Sequence, residues 1–482
     1  MSDEKYSAET GPGESHQFDR SDAPRTAEGL TDWTIPVIPS TRIDPEDWAW
    51  AHEQRKPVDP DITVDQVAAI LLVHQAAGWL PRALNALRRS GERAAVQIAV
   101  DLGSTDGSSD LLMAAVDEGL LDECVTASAD TTPGEGINLA IDRLTDGVTH
   151  IWILHDDVEV RRDSLTCMLR EASRKPHPDV LYPTLLKPAR HNYPEFIDEQ
   201  GQSVSTGGAR VLPVVDRGDI DQKQADPGPI LGGSTAGMFV RVDVWRRLGG
   251  FDPALPLFRD GVDFGWRANE AGMVVRTAPS CTIHHRQAGR GWQRESHLAP
   301  RPDVTDRLAG MRMVAARTGH PTRTSLALLV ASVWRFLVLM VGKAPSRAVD
   351  EWRSGLQLWR SRSVTREMTH RLQDFHAQCD PDDLENTNRL LPSRRSVWAR
   401  AVDRYAGDLS DRIHPWRNED GTTIDDLTGD DFTVRDHRSV VNPYTVMVSL
   451  MVVIGIVACR GLYGSGRATS TWLAPAPCGL AG

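Results

Sequence analysis

The order of apolar and polar positions predicts alternating strands and helices in the first half of the chain. Val67 to His74 (VAAILLVH) is a continuous apolar run, the pattern of a parallel strand buried on both faces. Leu80, Leu84 and Leu87 follow at helical spacing. Val96 to Val100 predicts a second strand ending at Asp101, and Gly103-Ser104-Thr105-Asp106-Gly107 a turn that caps the helix through Leu111, Leu112 and Val116. Cys124 to Ala127 predicts a third strand, Gly134 to Leu144 a helix, and Ile151 to Leu154 a fourth strand. Such alternation implies a parallel, doubly wound α/β sheet.

Beyond residue 180 the pattern loosens into Gly- and Pro-rich segments with single strands, then a helix from Val242 to Leu248. Past residue 300 it becomes helical. Leu326 to Val341 is apolar apart from Arg335, but its 16 residues fall short of the ~20 that cross a bilayer, which predicts a buried or interfacial helix. Ser439 to Cys459 carries no charge over 21 positions and predicts one transmembrane helix. The expected organisation is a polar lead-in over 1–60, a catalytic domain over 61–300, a helical, membrane-interfacial region over 301–410, an acidic linker over 411–438, and a membrane segment with a truncated-looking end over 439–482.

Composition narrows the class. A chain of 482 residues with 40% hydrophobic and 25% charged residues can bury a sizeable core. The net charge of −12 argues against a nucleic-acid partner. Six scattered cysteines without a CxxC pair suggest neither a zinc site nor a disulfide framework. No signal peptide is expected at the start.

The chemistry concentrates where Trp152-Ile153-Leu154 runs into His155-Asp156-Asp157. A strand ending on paired acids brings them to the carboxyl edge of the sheet, where open α/β folds bind ligands. Two adjacent carboxylates suit a hard divalent cation carrying a diphosphate. Upstream, Asp101 can accept from a nucleobase N–H, and the helix opening at Gly134 to Asn138 can face a phosphate. Downstream, Asp260 and Asp263 are candidate general bases, and His285 a candidate metal ligand. Each feature has a plainer alternative: Ser-Thr-Asp-Gly is an ordinary helix cap, and Asp263 with Arg267 an ordinary i,i+4 ion pair.

In combination, VAAILLVH, IAVDLGSTDG, GEGINLAID, ILHDDVEV, GGSTAGMFVRVDVWRRLGGFD, FRDGVDFGWRANEAG and APSCTIHH, over about residues 65–290, resemble the inverting GT-A glycosyltransferases of family 2. The resemblance implies a Rossmann-like, mostly parallel sheet, a UDP- or dTDP-linked sugar donor, and Mg²⁺ or Mn²⁺. It assigns Asp101 to the nucleobase, Asp156 to the ribose or diphosphate, Asp157 and His285 to the metal, and Asp260, in preference to Asp263, to the base. His74 and Asn138 join the donor contacts. The chain departs from the family where the first acid of its D-x-D is His155, and where the second acid of the basic pair is Gly261. A processive motif is only approximated by Gln287, Arg290 and Trp292, with Gly291 inserted.

The hydrophobic end resembles that of envelope-polysaccharide transferases of galactofuranosyl and rhamnosyl type. It implies a glycan or lipid-linked acceptor at the cell membrane, with the catalytic domain on the cytoplasmic side. The rival expectations are a catalytically silent module that scaffolds an envelope complex, and a nucleotidyltransferase. The latter would carry a basic Gly-rich loop where this chain has His74-Gln75-Ala76-Ala77-Gly78-Trp79.

Overall fold

The structure, a computed structural model, describes residues 60–189, 194–289, 298–342 and 344–393, with isolated positions 294, 296, 451 and 454. The expected lead-in, acidic linker and Ser439–Cys459 helix lie outside the described residues, as do Arg290 and Trp292.

The strands are β1 (Val67–Val73), β2 (Val96–Leu102), β3 (Glu123–Ala127), β4 (His150–His155), β5 (Val158–Val160), β6 (Val180–Leu186), β7 (Ile197–Glu199), β8 (Ser203–Val204), β9 (Arg210–Val211), β10 (Phe239–Arg241) and β11 (Val275–His285). Among the described residues, nine of them form one sheet in the order β3-β2-β1-β4-β10-β6-β11-β5, with β7 on β6. β3, β2, β1 and β4 are mutually parallel. β10 runs antiparallel to both β4 and β6, and β6 is parallel to β11. β4, β6 and β11 therefore point the same way, and His155 and His285 end strands at the same edge. The mostly parallel α/β architecture expected from the sequence is the one observed.

The unbroken apolar run of β1 has a direct cause. Val67, Ala69, Leu71 and Val73 enter the core on one face of the sheet, Ala68, Ile70 and Leu72 the core on the other. A strand with helices over both faces has no polar side to show. The helices Leu80–Arg88 and Pro133–Ile141 lie close to their expected spans, and the helix Val242–Leu248 matches its own.

The helices after residue 300 share a core with the sheet domain. Ala309, Met313 and Ala316, on the helix Pro302–Ala316, and Met368 and Leu372, on the helix Arg362–His376, pack with Val262 and Trp266. The segment expected to be 16 residues long is the 21-residue helix Pro321–Val341, because Pro321 at its first turn starts it earlier. It is not a buried helix: only 17% of its most apolar stretch is covered.

Candidate active site

At the carboxyl edge of the sheet lies a cleft with a cavity volume of ≈ 160 Å³, lined by residues from β1, β4 and β11 and from the loops around them. His74, His155, Asp157, Asp260 and His285 all line it, joined by Glu199, Arg210, Thr235, Arg259 and Arg294. Backbone strain gathers here. Phe258, Arg259 and Gln287 line the cleft with φ of 61°, 60° and 55°, and Gln75, next to His74, has φ 48°. Non-glycine residues in this region persist only where their surroundings over-determine them, commonly at functional sites.

His155, Asp157 and His285 bring ligand-type atoms within 4.8 Å of one another. His285 Nε2 lies 3.4 Å from Asp157 Oδ1, and the two imidazoles meet edge to face with centroids 5.9 Å apart. His155 Nε2 is 2.9 Å from Thr235 Oγ1, which orients the ring. Asp157 Oδ2 accepts from the Ala288 N–H at 2.8 Å. Burial disfavours the Asp157 charge, yet His285 and Arg294 outweigh it and hold the carboxyl well below the usual carboxylate range. Burial pushes His155 down to about 4, so it is a neutral imidazole at physiological pH. The buried Nδ1 of His285 has no hydrogen-bond partner. One ionised carboxylate, one neutral imidazole and an imidazole with an orphaned nitrogen suit a divalent transition-metal ion. The sequence treated His155 as a departure from the metal motif; the structure makes it part of the cluster.

Asp156 is fully committed within the protein. Its carboxylate accepts from the His74 N–H at 2.9 Å and from Trp79 Nε1 at 3.3 Å, and pairs with Arg294. It ties the loop after β1 to the sheet edge rather than facing the cleft. Arg294 also stacks on Trp79, 5.3 Å from the ring centroid. No sequence pattern singled out Arg294, because its partners lie more than a hundred residues upstream.

Asp260 opens the helix Asp260–Glu270 and lines the cleft. Burial raises its carboxyl to about 6, and the Gly261 N–H donates to it at 2.9 Å. A carboxylate tuned toward neutrality is suited to take a proton. Gly261 has no room for the second acid of the family pair: a Cβ there would lie 2.5 Å from the Gly233 carbonyl oxygen and 2.8 Å from Thr235 Cγ2.

Three expected site residues sit elsewhere. Asp263 is completely buried and bonded to Arg267 at 2.9 Å and Arg317 at 3.0 Å, so it anchors the helix and does not reach the cleft. Asn138 Oδ1 accepts from Trp245 Nε1 at 2.8 Å, and Asn138 does not line the cleft. Asp101 is buried and accepts from the Ser104 N–H at 2.9 Å and from the Ser109 hydroxyl, shaping the turn. The helix start near Gly134 is already capped by its own residues: Thr132 Oγ1 accepts from the Glu135 N–H, and Glu135 accepts from the Thr132 N–H at 2.8 Å.

No protein-family model matches the chain. In sequence it is related to N-acetylglucosaminyl-diphospho-decaprenol L-rhamnosyltransferase, recorded from two strains of Mycobacterium tuberculosis. Each is 26% identical over 253 residues, 49% of this chain and 81% of the relative. Glycosyltransferases are therefore its relatives. Among solved structures, the mannosyltransferase PcManGT from Pyrobaculum calidifontis, in complex with GDP-Man and Mn²⁺, is 16% identical. Its TM-score is 0.40, over 66% of this chain and 94% of that one. GalNAc-T7 with UDP, GalNAc and Mn²⁺ is 12% identical with a TM-score of 0.41, over 52% of this chain and 51% of that one. These likenesses are distant, and the site assignments rest on the cleft itself.

Proposed function

We propose that this chain is an inverting, metal-dependent glycosyltransferase that moves a sugar from a nucleoside-diphosphate donor to a glycan or lipid-linked acceptor in cell-envelope polysaccharide synthesis. The observation that carries the reading is the convergence of His155, Asp157 and His285 with the raised-pKa carboxyl of Asp260 in one cleft. The rhamnosyltransferase relative supports a diphospho-lipid acceptor and membrane association.

In this reading Asp260 takes the proton of the acceptor hydroxyl. The oxygen attacks the anomeric carbon from the face opposite the diphosphate, and the C–O bond to phosphate breaks with its electron pair leaving on the diphosphate. One carboxylate suffices, because transfer to a hydroxyl needs a base, whereas hydrolysis by inversion needs an acid as well. His155, Asp157 and His285 would hold Mn²⁺ or Mg²⁺, which when bound supplies positive charge against the leaving diphosphate. Arg294, held by Asp156 and Trp79, adds a fixed cation beside it. His74 and Leu102 border the cleft on the side of the Asp101 turn, where a UDP- or dTDP-linked base would lie.

The test is a thermal-shift and transfer panel of nucleotide sugars with and without Mn²⁺. A ligand at about 100 times its dissociation constant adds about 2.7 kcal/mol of stability, a readily measured shift. Stabilisation by UDP- or dTDP-sugars together with transfer to a prenyl-diphosphate glycan supports the reading. No stabilisation by any nucleotide overturns it. Binding without transfer to any acceptor favours the silent scaffold, for which the missing acid at Gly261 is the specific motive.

A further inference from the structure

The helix Pro321–Val341 turns most of its large apolar residues outward. Its apolar residues Leu326, Val330, Trp334, Leu337, Val338 and Val341 recur at helical spacing on one side, and Trp334 and Val341 are 67% and 84% exposed. The side turned to the protein is mixed: Leu328 packs there with Leu308, Met311, Ala315 and Leu358, beside small and polar residues. Ser325 and Ser332 are buried there, and Arg335 pairs with Glu351 at 3.0 Å. Gly355 lies against Ser332, so close that a Cβ on Gly355 would sit 2.6 Å from the serine Cβ. An exposed contiguous apolar stripe of this length marks a surface that is covered in use.

Charge identifies what covers it. Arg323 on this helix and Arg347, Arg353 and Arg360 on the neighbouring helix Pro345–Arg360 are exposed. Of that neighbour's two carboxylates, Asp350 is half-buried, with the exposed Asp303 near enough to repel its charge, and Glu351 is bound by Arg307 at 2.7 Å. An apolar stripe whose own and neighbouring helices expose four arginines complements an anionic lipid surface.

The same contacts decide how the helix meets the bilayer. It is joined along one side, through Ser332, Gly355, Arg335 and Glu351, to the arginine-bearing helix. Crossing the membrane would draw those arginines into hydrocarbon. We propose that Pro321–Val341 lies in the plane of an anionic membrane as an interfacial anchor, with Trp334 and Val338 in the acyl region. This deepens the membrane part of the proposed function, but it rests on the helix and not on sugar transfer.

The experiment uses the full chain carrying an environment-sensitive fluorescent amino acid in place of Val338. Addition of phosphatidylglycerol/phosphatidylcholine vesicles, without any sugar substrate, is expected to shift its emission to the blue. Pure phosphatidylcholine shifts it less, and lipids brominated near the headgroup quench it more than lipids brominated at the chain end. Trp334→Glu with Leu337→Glu abolishes the response while melting and transfer to a short-chain soluble acceptor are retained. An unchanged emission with vesicles overturns the proposal, as does strongest quenching from the bilayer centre, which signals a span. Blue emission without lipid overturns it too: dependence on protein concentration means a second copy covers the stripe, and independence means a segment of the same chain does, such as the apolar stretch 439–459. Loss of transfer with the lipid response intact would count against the function reading alone.

Discussion

His285 Nε2 stands 3.4 Å from Asp157 Oδ1, joining the last residue of β11 to the acid that follows β4. Two strands far apart in sequence thus end on one metal-type site, completed by His155. Asp157→Ala removes its one carboxylate and is expected to weaken Mn²⁺ binding by more than roughly 100-fold, beyond the cost of losing an outer-shell partner. Electron paramagnetic resonance of free Mn²⁺ measures it. Equal binding by the variant and the parent would remove the metal site.

The donor set also predicts which metal works. Two imidazoles and one carboxylate favour a transition-metal ion over Mg²⁺, which prefers all-oxygen surroundings. Mn²⁺ is therefore expected to support more transfer than Mg²⁺ in the parent. His155→Asp, which restores the family's first acid, moves the preference toward Mg²⁺. The ratio of rates with the two ions is the readout, and an unchanged ratio would show that His155 does not touch the metal.

Asp260 ties activity to pH and stability in opposite senses. Its native pKa of about 6 lies above the ordinary 3.8, so burial of its charge costs stability at neutral pH. A raised acid contributes its full stability below the unfolded value, and the contribution is lost as pH rises through 6. Asp260→Asn should therefore stabilise the protein at pH 7.5 by on the order of 3 kcal/mol, seen as a higher melting temperature, and the gain should vanish near pH 4. Transfer should fall by about 10²- to 10⁴-fold, the usual worth of a general base. In the parent, kcat/KM should decline as pH drops below about 6. A variant that keeps its rate would show that Asp260 is not the base and turn attention to Glu199, another carboxylate that lines the cleft.

Gly261 is constrained by packing. Tyr182 donates to its carbonyl at 2.7 Å, and the Gly233 backbone fills the space a side chain would need. Gly261→Ala is expected to cost about 1–3 kcal/mol from overpacking, seen as a lower denaturation midpoint with unchanged slope. Gly261→Asp, although it rebuilds the family pair on paper, should be worse in both stability and rate. A fully active, equally stable Gly261→Asp would contradict this geometry.

The sheet was legible because burial on both faces writes itself as unbroken apolar runs, as in Val67–Val73. That Asp157 and His285 come to one edge was legible because strand ends in a parallel sheet share an edge; that His155 joins them was not. That only one of the two paired acids faces the cleft was not legible, since both were expected to touch the donor or its metal. Asp156 and Asp157 are neighbours, yet one is spent on His74, Trp79 and Arg294, and the other lines the cavity. Glu199 and Arg210 sit on the short strands β7 and β9, and Arg259 just before the helix Asp260–Glu270; their meeting depends on tertiary contacts, such as the Arg210–Asp306 pair at 2.7 Å, that have no sequence period. The Pro321–Val341 helix was read too short because the apolar count began at Leu326, whereas the polar first turn Pro321-Thr322-Arg323-Thr324-Ser325 belongs to the same helix. The charge of Arg335 within it is satisfied by Glu351.

Asp263 supplies the control for Asp260, three residues along the same helix. It is wholly buried between Arg267 and Arg317, and although burial opposes its charge, the two guanidinia hold its carboxyl below the usual range. Arg317 further packs 4.0 Å over the Trp266 ring, and Arg267 donates to the Leu248 and Gly250 carbonyls at 2.7 Å. Asp263→Asn leaves two buried cations short of one counter-charge and should cost about 3–5 kcal/mol. Because the native pKa is depressed, this stabilisation is present above pH 4 and is lost only as pH falls through the lower folded value. The melting difference between parent and variant should therefore hold from pH 8 to about pH 4 and shrink below it, opposite in sign to that of Asp260→Asn. If the folded fraction of Asp263→Asn transfers sugar at the parent rate, Asp263 is a structural anchor. A rate loss of the size expected for Asp260, in protein shown to be folded, would make Asp263 the base instead.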